Sequence, residues 1–213
     1  MKIEVIFPVY NEGSTIYDQI KKFNEFFDID FKKNLYITVA DNGSNDNTFT
    51  ICNDLLNKKL INNYLSISQK GRGRAIKQSI INSDADIVSY MDIDLSTDLD
   101  HFKDLVESIY LKGYDISIGS RLSKTSKVIG RKKIREFTSR AYNLLIKIYF
   151  PKSKIQDMQC GFKAFSRKKI LKVLNYVENN RWFFDTELIL IARKFNLKID
   201  QIPVKWTDDP NTS

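Results

Sequence analysis

DIVSYMDIDLS, residues 86–96, is a short apolar run closed by two aspartates, and helical periodicity follows it over 99–112. A run of that length bounded by polar residues reads as a buried strand. The same unit recurs on both sides of it. Upstream, YLSIS (64–68) leads into a glycine-containing basic turn and a helix to about 82, and LYITVA (35–40) leads into DNGSND and a helix over 47–57. IEVIF (3–7) leads into NEGST and a helical pattern at Ile16, Ile20, Phe23 and Phe27, and downstream YDISIGS (114–120) supplies a fifth strand. Strands and helices taking turns in this way predict an α/β domain with a mostly parallel sheet. Such sheets bind ligands at the carboxyl ends of their strands. NEG, DNGS, DID and GSR all follow expected strands, so they are expected on one edge of the sheet.

The remaining chain sets the bounds. With 213 residues, 42% hydrophobic and 28% charged, it is expected to form one folded domain over 1–213. Two cysteines, Cys52 and Cys160, exclude a disulfide scaffold or a four-cysteine zinc site, and a lone histidine, His101, argues against His-rich metal chemistry. The net charge of +8 favours an anionic partner. MKIEVIFPVYNE breaks at Pro8 too early for a signal peptide, and no apolar run reaches the ~18 residues of a membrane span. The expectation is a soluble, cytoplasmic chain. Its polar DDPNTS ending suggests that the natural protein continues into a further C-terminal segment.

After residue 120 the rhythm breaks. Residues 121–140 carry eight Lys or Arg against one acid, Glu136, and an amphipathic helix is expected from about 133 to 150, stopping at Pro151. GFKAF (161–165) reads as a strand, 167–176 and 185–195 as helices, and IDQIPVKW (199–206) as a last strand.

Asp92 and Asp94, placed at the end of an extended strand, would face the same side and could hold one Mg²⁺ or Mn²⁺ together with a diphosphate. Alternatively, Asp94 and Ser96 cap the next helix. Asp41 can bind a base or ribose, or simply build the turn. KGRGRAI (70–76) lacks the order of a Walker loop, so it is either an anion-binding basic turn or plain surface. The basic stretch lacks the interleaved aromatics of nucleic-acid readers, and no feature points to a protein partner. Arg121, Arg135 and Arg140 suit phosphate. Asp185 and Glu187, beside three aromatics in WFFDTEL, are either acids with raised pKa or a helix N-terminus.

Taken together, PVYNEG, DNGSNDNT, KGRGRA, DIDLS and IGSR resemble the family 2 glycosyltransferases of GT-A (Rossmann-like) fold. DMQCGFKAF (157–165), RWFFDTELILIAR (181–193) and IPVKWTDDP (202–210) are similar to dolichyl-phosphate β-glucosyltransferases and the related mannose synthases. The resemblance implies a nucleotide-sugar half over 1–120 and an acceptor half over 121–213. In the first half it implies Pro8, Tyr10, Glu12, Asp41, Arg72 and Asp92 at the nucleotide diphosphate sugar, with Asp92 and Asp94 at Mg²⁺ or Mn²⁺. In the second it implies Arg121, Arg135 and Ser139 at a polyprenyl or dolichyl phosphate. Asp94, Arg121, Asp157 and Asp185 would serve catalysis, the last two holding sugar hydroxyls or ordering the acceptor loop. Ser96 stands where mannose synthases often place Gln, and Arg72 stands at the usual lysine of GKGGA. The implied reaction is inverting hexose transfer, from UDP-glucose in preference to GDP-mannose, on the surface of an anionic membrane. A glycan acceptor, a nucleotidyltransferase and a non-enzymatic basic module remain as rivals.

Overall fold

The computed structural model describes residues 1–130, 133–151 and 155–208, with the backbone alone for Lys133, Arg135 and Lys147. In chain order the elements are β1 (Ile3–Val9), α1 (Ile16–Phe26), α2 (Ile29–Lys32), β2 (Leu35–Asp41), α3 (Thr48–Asn57), β3 (Asn63–Ser66), α4 (Arg72–Asn82), β4 (Ile87–Met91), α5 (Asp100–Tyr110) and β5 (Ile116–Ser120). Then follow β6 (Lys127–Ile129), α6 (Lys133–Tyr149), β7 (Phe162–Ser166), α7 (Arg167–Leu174), α8 (Phe184–Lys194), β8 (Ile199–Pro203) and β9 (Lys205–Thr207).

The central sheet has seven strands in the order β3-β2-β1-β4-β7-β5-β8. Its pairings are parallel except those of β7, which runs antiparallel to both β4 and β5. Both faces are covered, which is why β4 and β5 are buried along their whole length and read as apolar runs. On one face Ile3, Val5, Phe7 and Val9 of β1 meet Ile16, Ile20 and Phe23 of α1 and Phe102 and Leu105 of α5. Phe23 lies edge-on to Phe7 and Phe102, with centroids 5.1 and 5.9 Å apart. On the other face Ile6, Val88, Tyr90 and Ile118 meet Ile76 and Ile80 of α4, Ile170 and Val173 of α7, and Leu188 and Ile189 of α8. The alternation of side chains along each strand therefore sends one set to each layer.

Two expectations need correction. The last strand, expected over 199–206, divides at Val204: β8 closes the main sheet, and β9 pairs with β6 in a separate two-stranded sheet. Pro203 ends β8, having no N–H to extend the ladder. The strand expected to run to Asp94 stops at Met91. Beyond it the chain turns, with the Leu95 N–H on the Asp92 carbonyl at 3.3 Å and Leu95 in the left-handed region at φ 51°. Asp92 and Asp94 thus sit on a turn, and strand alternation does not set their direction. Nor do Asp94 and Ser96 cap the following helix, which begins only at Asp100.

Candidate active site

The sheet order reverses between β1 and β4, since the chain leaves β1 for β2 and β3 before returning to β4. A cleft of about 850 Å³ opens there, beyond the carboxyl ends of the strands. Pro8 near the end of β1 lines it, with Tyr10 and Glu12 after that strand, Asn42 after β2, Lys70 and Arg72 at the start of α4, and Asp92 and Asp94 after β4. The loop after β2 braces the loop after β1. Ser44 Oγ accepts from the Asn11 N–H (2.8 Å), Asn11 Oδ1 from the Asn45 N–H (2.9 Å), Asp46 Oδ2 from the Gly13 N–H (3.0 Å), and Thr48 Oγ1 from the Glu12 N–H (2.9 Å). Tyr10 receives the Lys70 ammonium at its hydroxyl, with that ammonium 4.4 Å from its ring centroid.

Of the two readings of Asp41, the contacts show the turn. Asp41 is buried, one oxygen accepts from the Ser44 N–H (2.9 Å) and the other from the Tyr64 hydroxyl (2.5 Å). Asp41 therefore builds the turn and is not among the residues lining the cleft, where its neighbour Asn42 stands instead. The glycines of KGRGRA also serve packing. A Cβ on Gly71, at φ 154°, would collide with the Asn180 carbonyl, and one on Gly73 with Phe184. They let α4 lie close against 180–184, which brings Trp182 over the cleft.

A second cavity of about 270 Å³ adjoins the first and shares Asp92, Asp94 and Trp182 with it. Arg121, Gln159, Gly161, Trp206 and Ser96 complete much of its wall. Its donors suit a hard divalent cation: the carboxylates of Asp92 and Asp94, with Asp208 also on the wall, and a buried Ser96 hydroxyl without a hydrogen-bond partner among the described residues. Among the described residues no three of His, Cys, Asp or Glu converge as a complete metal cage. An ion held here would take its remaining ligands from phosphate and water, the usual arrangement for Mg²⁺. Gly161 makes room for this corner, because a Cβ there would overlap the Asp92 carboxylate. Gly161→Ala is expected to keep the fold, since only the end of a flexible side chain must move. It should weaken Mn²⁺ binding at least ~10-fold through displaced ligand geometry, as read by the electron-spin-resonance signal of free Mn²⁺.

Arg121, just after β5, grips Asp157 with both arms of its fork: Nε to Oδ2 at 2.8 Å and Nη2 to Oδ1 at 2.9 Å, with its N–H on Oδ2 at 3.1 Å. Burial alone would raise the Asp157 pKa, but the guanidinium beside it holds the carboxyl below the usual range. Asp157 is 1% exposed, so it orients Arg121 and is not placed to hold a sugar hydroxyl. Ser139 lies on α6, its carbonyl accepting from Asn143 Nδ2 at 2.9 Å, and it does not line either cavity. Arg135 is on the same helix, four residues away, and its side chain lies outside the described residues.

Asp185, in the first turn of α8, is 1% exposed and saturated. It receives Arg72 Nη1 at 2.7 Å, the Tyr90 hydroxyl at 2.5 Å and the Lys163 ammonium. Burial pushes its pKa up, and Lys163 and Arg72 more than reverse that, leaving it below the ordinary value. Of the two readings of Asp185 and Glu187, the place at a helix N-terminus holds, and the raised pKa of Asp185 is overturned by two cations that local sequence does not show. Glu187 accepts from the N–H groups of Glu178 (3.2 Å) and Asn179 (2.8 Å) and so fixes the loop before α8. Gln159 is anchored through Nε2 on Thr186 Oγ1 at 2.6 Å. Lys163, Tyr90, Gln159, Trp182 and Trp206 were not singled out from sequence. For Lys163 a signal existed: a lysine inside GFKAF, in a sheet covered on both faces, must find a buried acid.

The model for "Glycosyl transferase family 2" matches residues 4–174. Glycosyltransferase AglD of Haloferax volcanii is 33% identical over 214 residues, covering 100% of this chain and 34% of that protein. The dolichyl-phosphate beta-glucosyltransferases of Saccharomyces cerevisiae and Dictyostelium discoideum are 29% and 30% identical, over 96% and 97% of this chain. The chain spans 66% of the length of each of those two. Among solved structures, the glucosyl-3-phosphoglycerate synthase from Mycobacterium tuberculosis, in complex with Mn²⁺, UDP and glucosyl-3-phosphoglycerate, superposes with a TM-score of 0.70 at 18% identity. That match covers 100% of this chain and 73% of that one, and shows a shared GT-A fold.

Proposed function

The chain belongs to glycosyl transferase family 2, and on that premise we propose that it moves glucose from UDP-glucose to a polyprenyl phosphate of the dolichyl type, with inversion at the sugar. The observation that carries this reading is the state of three acids set behind the cavity walls, none of them among the lining residues. Asp157, Asp185 and Glu187, which could have been bases, already accept from cations or backbone N–H groups. A hydroxyl acceptor needs a base. A phosphate monoester, with a second pKa near ~6, arrives ionised at pH 7 and needs only positioning.

In this reading the cleft between β1 and β4 takes the nucleotide, and Asp92 and Asp94 hold a divalent cation that would neutralise the leaving diphosphate. Arg121, pre-set by Asp157, presents its guanidinium in the second cavity to the acceptor phosphate. A phosphate oxygen forms the bond to the anomeric carbon as the bond to the β-phosphate oxygen breaks, and UDP leaves with the electron pair. No proton has to move. Trp182 and Trp206, which both line that cavity, shield the reacting carbon from water.

We also place the chain on a membrane surface. Phe137, Leu144, Leu145, Ile148 and Tyr149 of α6 are all exposed, next to a stretch rich in Lys and Arg. Such a helix can lie in an anionic interface. Among the described residues no helix is long and apolar enough to cross one.

Thermal unfolding with UDP or GDP, each with Mn²⁺ or EDTA, tests the donor. At 100 times its dissociation constant a ligand adds about 2.7 kcal/mol, or roughly 5–10 °C for a chain of this size. The expected result is that rise with UDP and Mn²⁺ together, followed by glucose transfer to polyprenyl phosphate. A rise with GDP alone would reassign the donor, and none with either nucleotide would overturn the reading.

A further inference from the structure

Among the described residues, Arg72 joins the buried charge cluster to the cleft. Its Nη1 arm reaches Asp185 at 2.7 Å and its Nη2 arm reaches Asp92 at 2.7 Å. The two carboxylates differ sharply in setting: the Asp185 side chain is 2% exposed, the Asp92 side chain 52%. Lys163, wholly buried, already balances Asp185. Burial keeps the Tyr90 phenol far above its ordinary pKa and therefore neutral. Asp185, Lys163 and Arg72 together carry one positive charge, and Asp92 is the carboxylate that offsets it. A cation that takes Asp92 therefore strips Arg72 of its second partner. The arm left behind lines the same cleft as Asp92 and Asp94, beneath Trp182, whose ring centroid is 5.7 Å away. An uncompensated guanidinium in such a place is costly, and a diphosphate there removes the cost.

We propose that Arg72 is a latch: its Nη2 arm holds Asp92 until a divalent cation takes that carboxylate, and then turns to the diphosphate of the donor. Each ligand bound alone works against the latch, and the two bound together satisfy it. Metal and nucleotide consequently bind with positive coupling, of the ~5–150-fold size usual between linked sites. Arg72 acts here as a positioning residue as well as a phosphate ligand, and Asp185 with Lys163 anchors its other end. The inference rests on the donor reading above, and the test separates the two.

Mn²⁺ is titrated without nucleotide and followed by the spin-resonance signal of the free ion; UDP is then titrated calorimetrically at saturating Mn²⁺ and in EDTA. The proteins are wild type, Arg72→Gln and Arg72→Lys. Lys163 still balances Asp185 when Arg72 is lost, so Arg72→Gln is expected to fold. Arg72→Lys keeps the charge but has no fork, and its single ammonium stays with the buried Asp185. In both variants Asp92 is released. The expected result has opposite signs for the two ligands: Mn²⁺ alone binds several-fold tighter than to wild type, and UDP with Mn²⁺ binds about 10-fold weaker or worse. Loss of a positive charge beside Asp92 by itself tightens Mn²⁺ in Arg72→Gln, so the deciding variant is Arg72→Lys, which keeps the charge and gives up only the arm on Asp92. Wild-type or weaker affinity of Arg72→Lys for Mn²⁺, while the wild type binds UDP with Mn²⁺ normally, would overturn the latch alone. A wild type that binds neither UDP nor Mn²⁺ would overturn the donor reading and the latch with it.

Discussion

Asp185→Ala is expected to destabilise the protein by about 3–5 kcal/mol, lowering the melting temperature by roughly 10 °C or more. The substitution removes the carboxylate from between Lys163, which is 0% exposed, and Arg72, which is 12% exposed. Two cations would then face each other across the space it leaves, and the Tyr90 hydroxyl would lose its acceptor. A comparison variant shows the scale. Asp54→Ala removes a pair with Lys58 whose side chains are about half exposed, and it should leave the melting temperature within about 2 °C of wild type. The acid limb of stability should report the same groups. Asp185 and Asp157 have folded pKa values below the ordinary 3.8, so their ionised forms favour the fold. That contribution is complete above the unfolded pKa near 4 and is lost as the pH falls through the lower folded value. Wild type should therefore unfold steeply below pH ~4, and Asp185→Ala should show a shallower slope there. A melting temperature within 2 °C of wild type would show that the buried cluster is not charged as described.

On the function proposed above, Asp94→Asn is expected to reduce glucose transfer by about 100- to 1,000-fold while leaving the fold in place. The Asp94 carboxylate accepts from the Ser96 N–H at 3.0 Å, and an amide oxygen can do the same, so the turn after β4 survives. What goes is half of the negative charge that Asp92 and Asp94 present to a divalent cation at the meeting of the two cavities. The measurement is the initial rate of transfer from UDP-glucose to a polyprenyl phosphate, with far-ultraviolet circular dichroism as the control for folding. Transfer within 10-fold of wild type would remove Asp94 from the mechanism.

Most of the architecture was legible because each parallel unit carries its own signals. Apolar runs end at polar turns, and every helix except the four-residue α2 begins and ends within one or two residues of the points its periodicity implies. The edge of the sheet on which the site lies was legible for the same reason. What local pattern could not supply was long-range pairing. Lys163, Asp185 and Arg72 are far apart in the chain and separated by apolar residues, and nothing near Asp185 announces the cations that lower its pKa. Asp41 and Asp157 are alike in this: each looks like an available acid until its partners, Tyr64 in one case and Arg121 in the other, come in from another element. The short β6–β9 sheet escaped notice because three residues are too few for any period to register, and its Lys, Val and Ile read as part of a basic surface. Alternation failed at Asp92 and Asp94 because a left-handed residue, Leu95, ends the regular geometry early.

The antiparallel strand has a consequence for how the chain assembles as it is made. β4 and β5 follow one another in sequence, yet β7 lies between them, with Lys163 opposite both Tyr90 and Ile118. When the first 120 residues have left the ribosome, β4 has an unpaired ladder edge and β5 lacks both of its neighbours, β7 and β8. Arg72 and Asp92 are present by then, and the lysine and the aspartate that complete their cluster are not. The sheet is therefore joined across its middle only by residues 162–166, and the charge is closed only by Asp185. Until those residues emerge, the open edges invite pairing with other chains. The order of synthesis and the order of assembly are different, and the interval between them is where a chaperone would find its client.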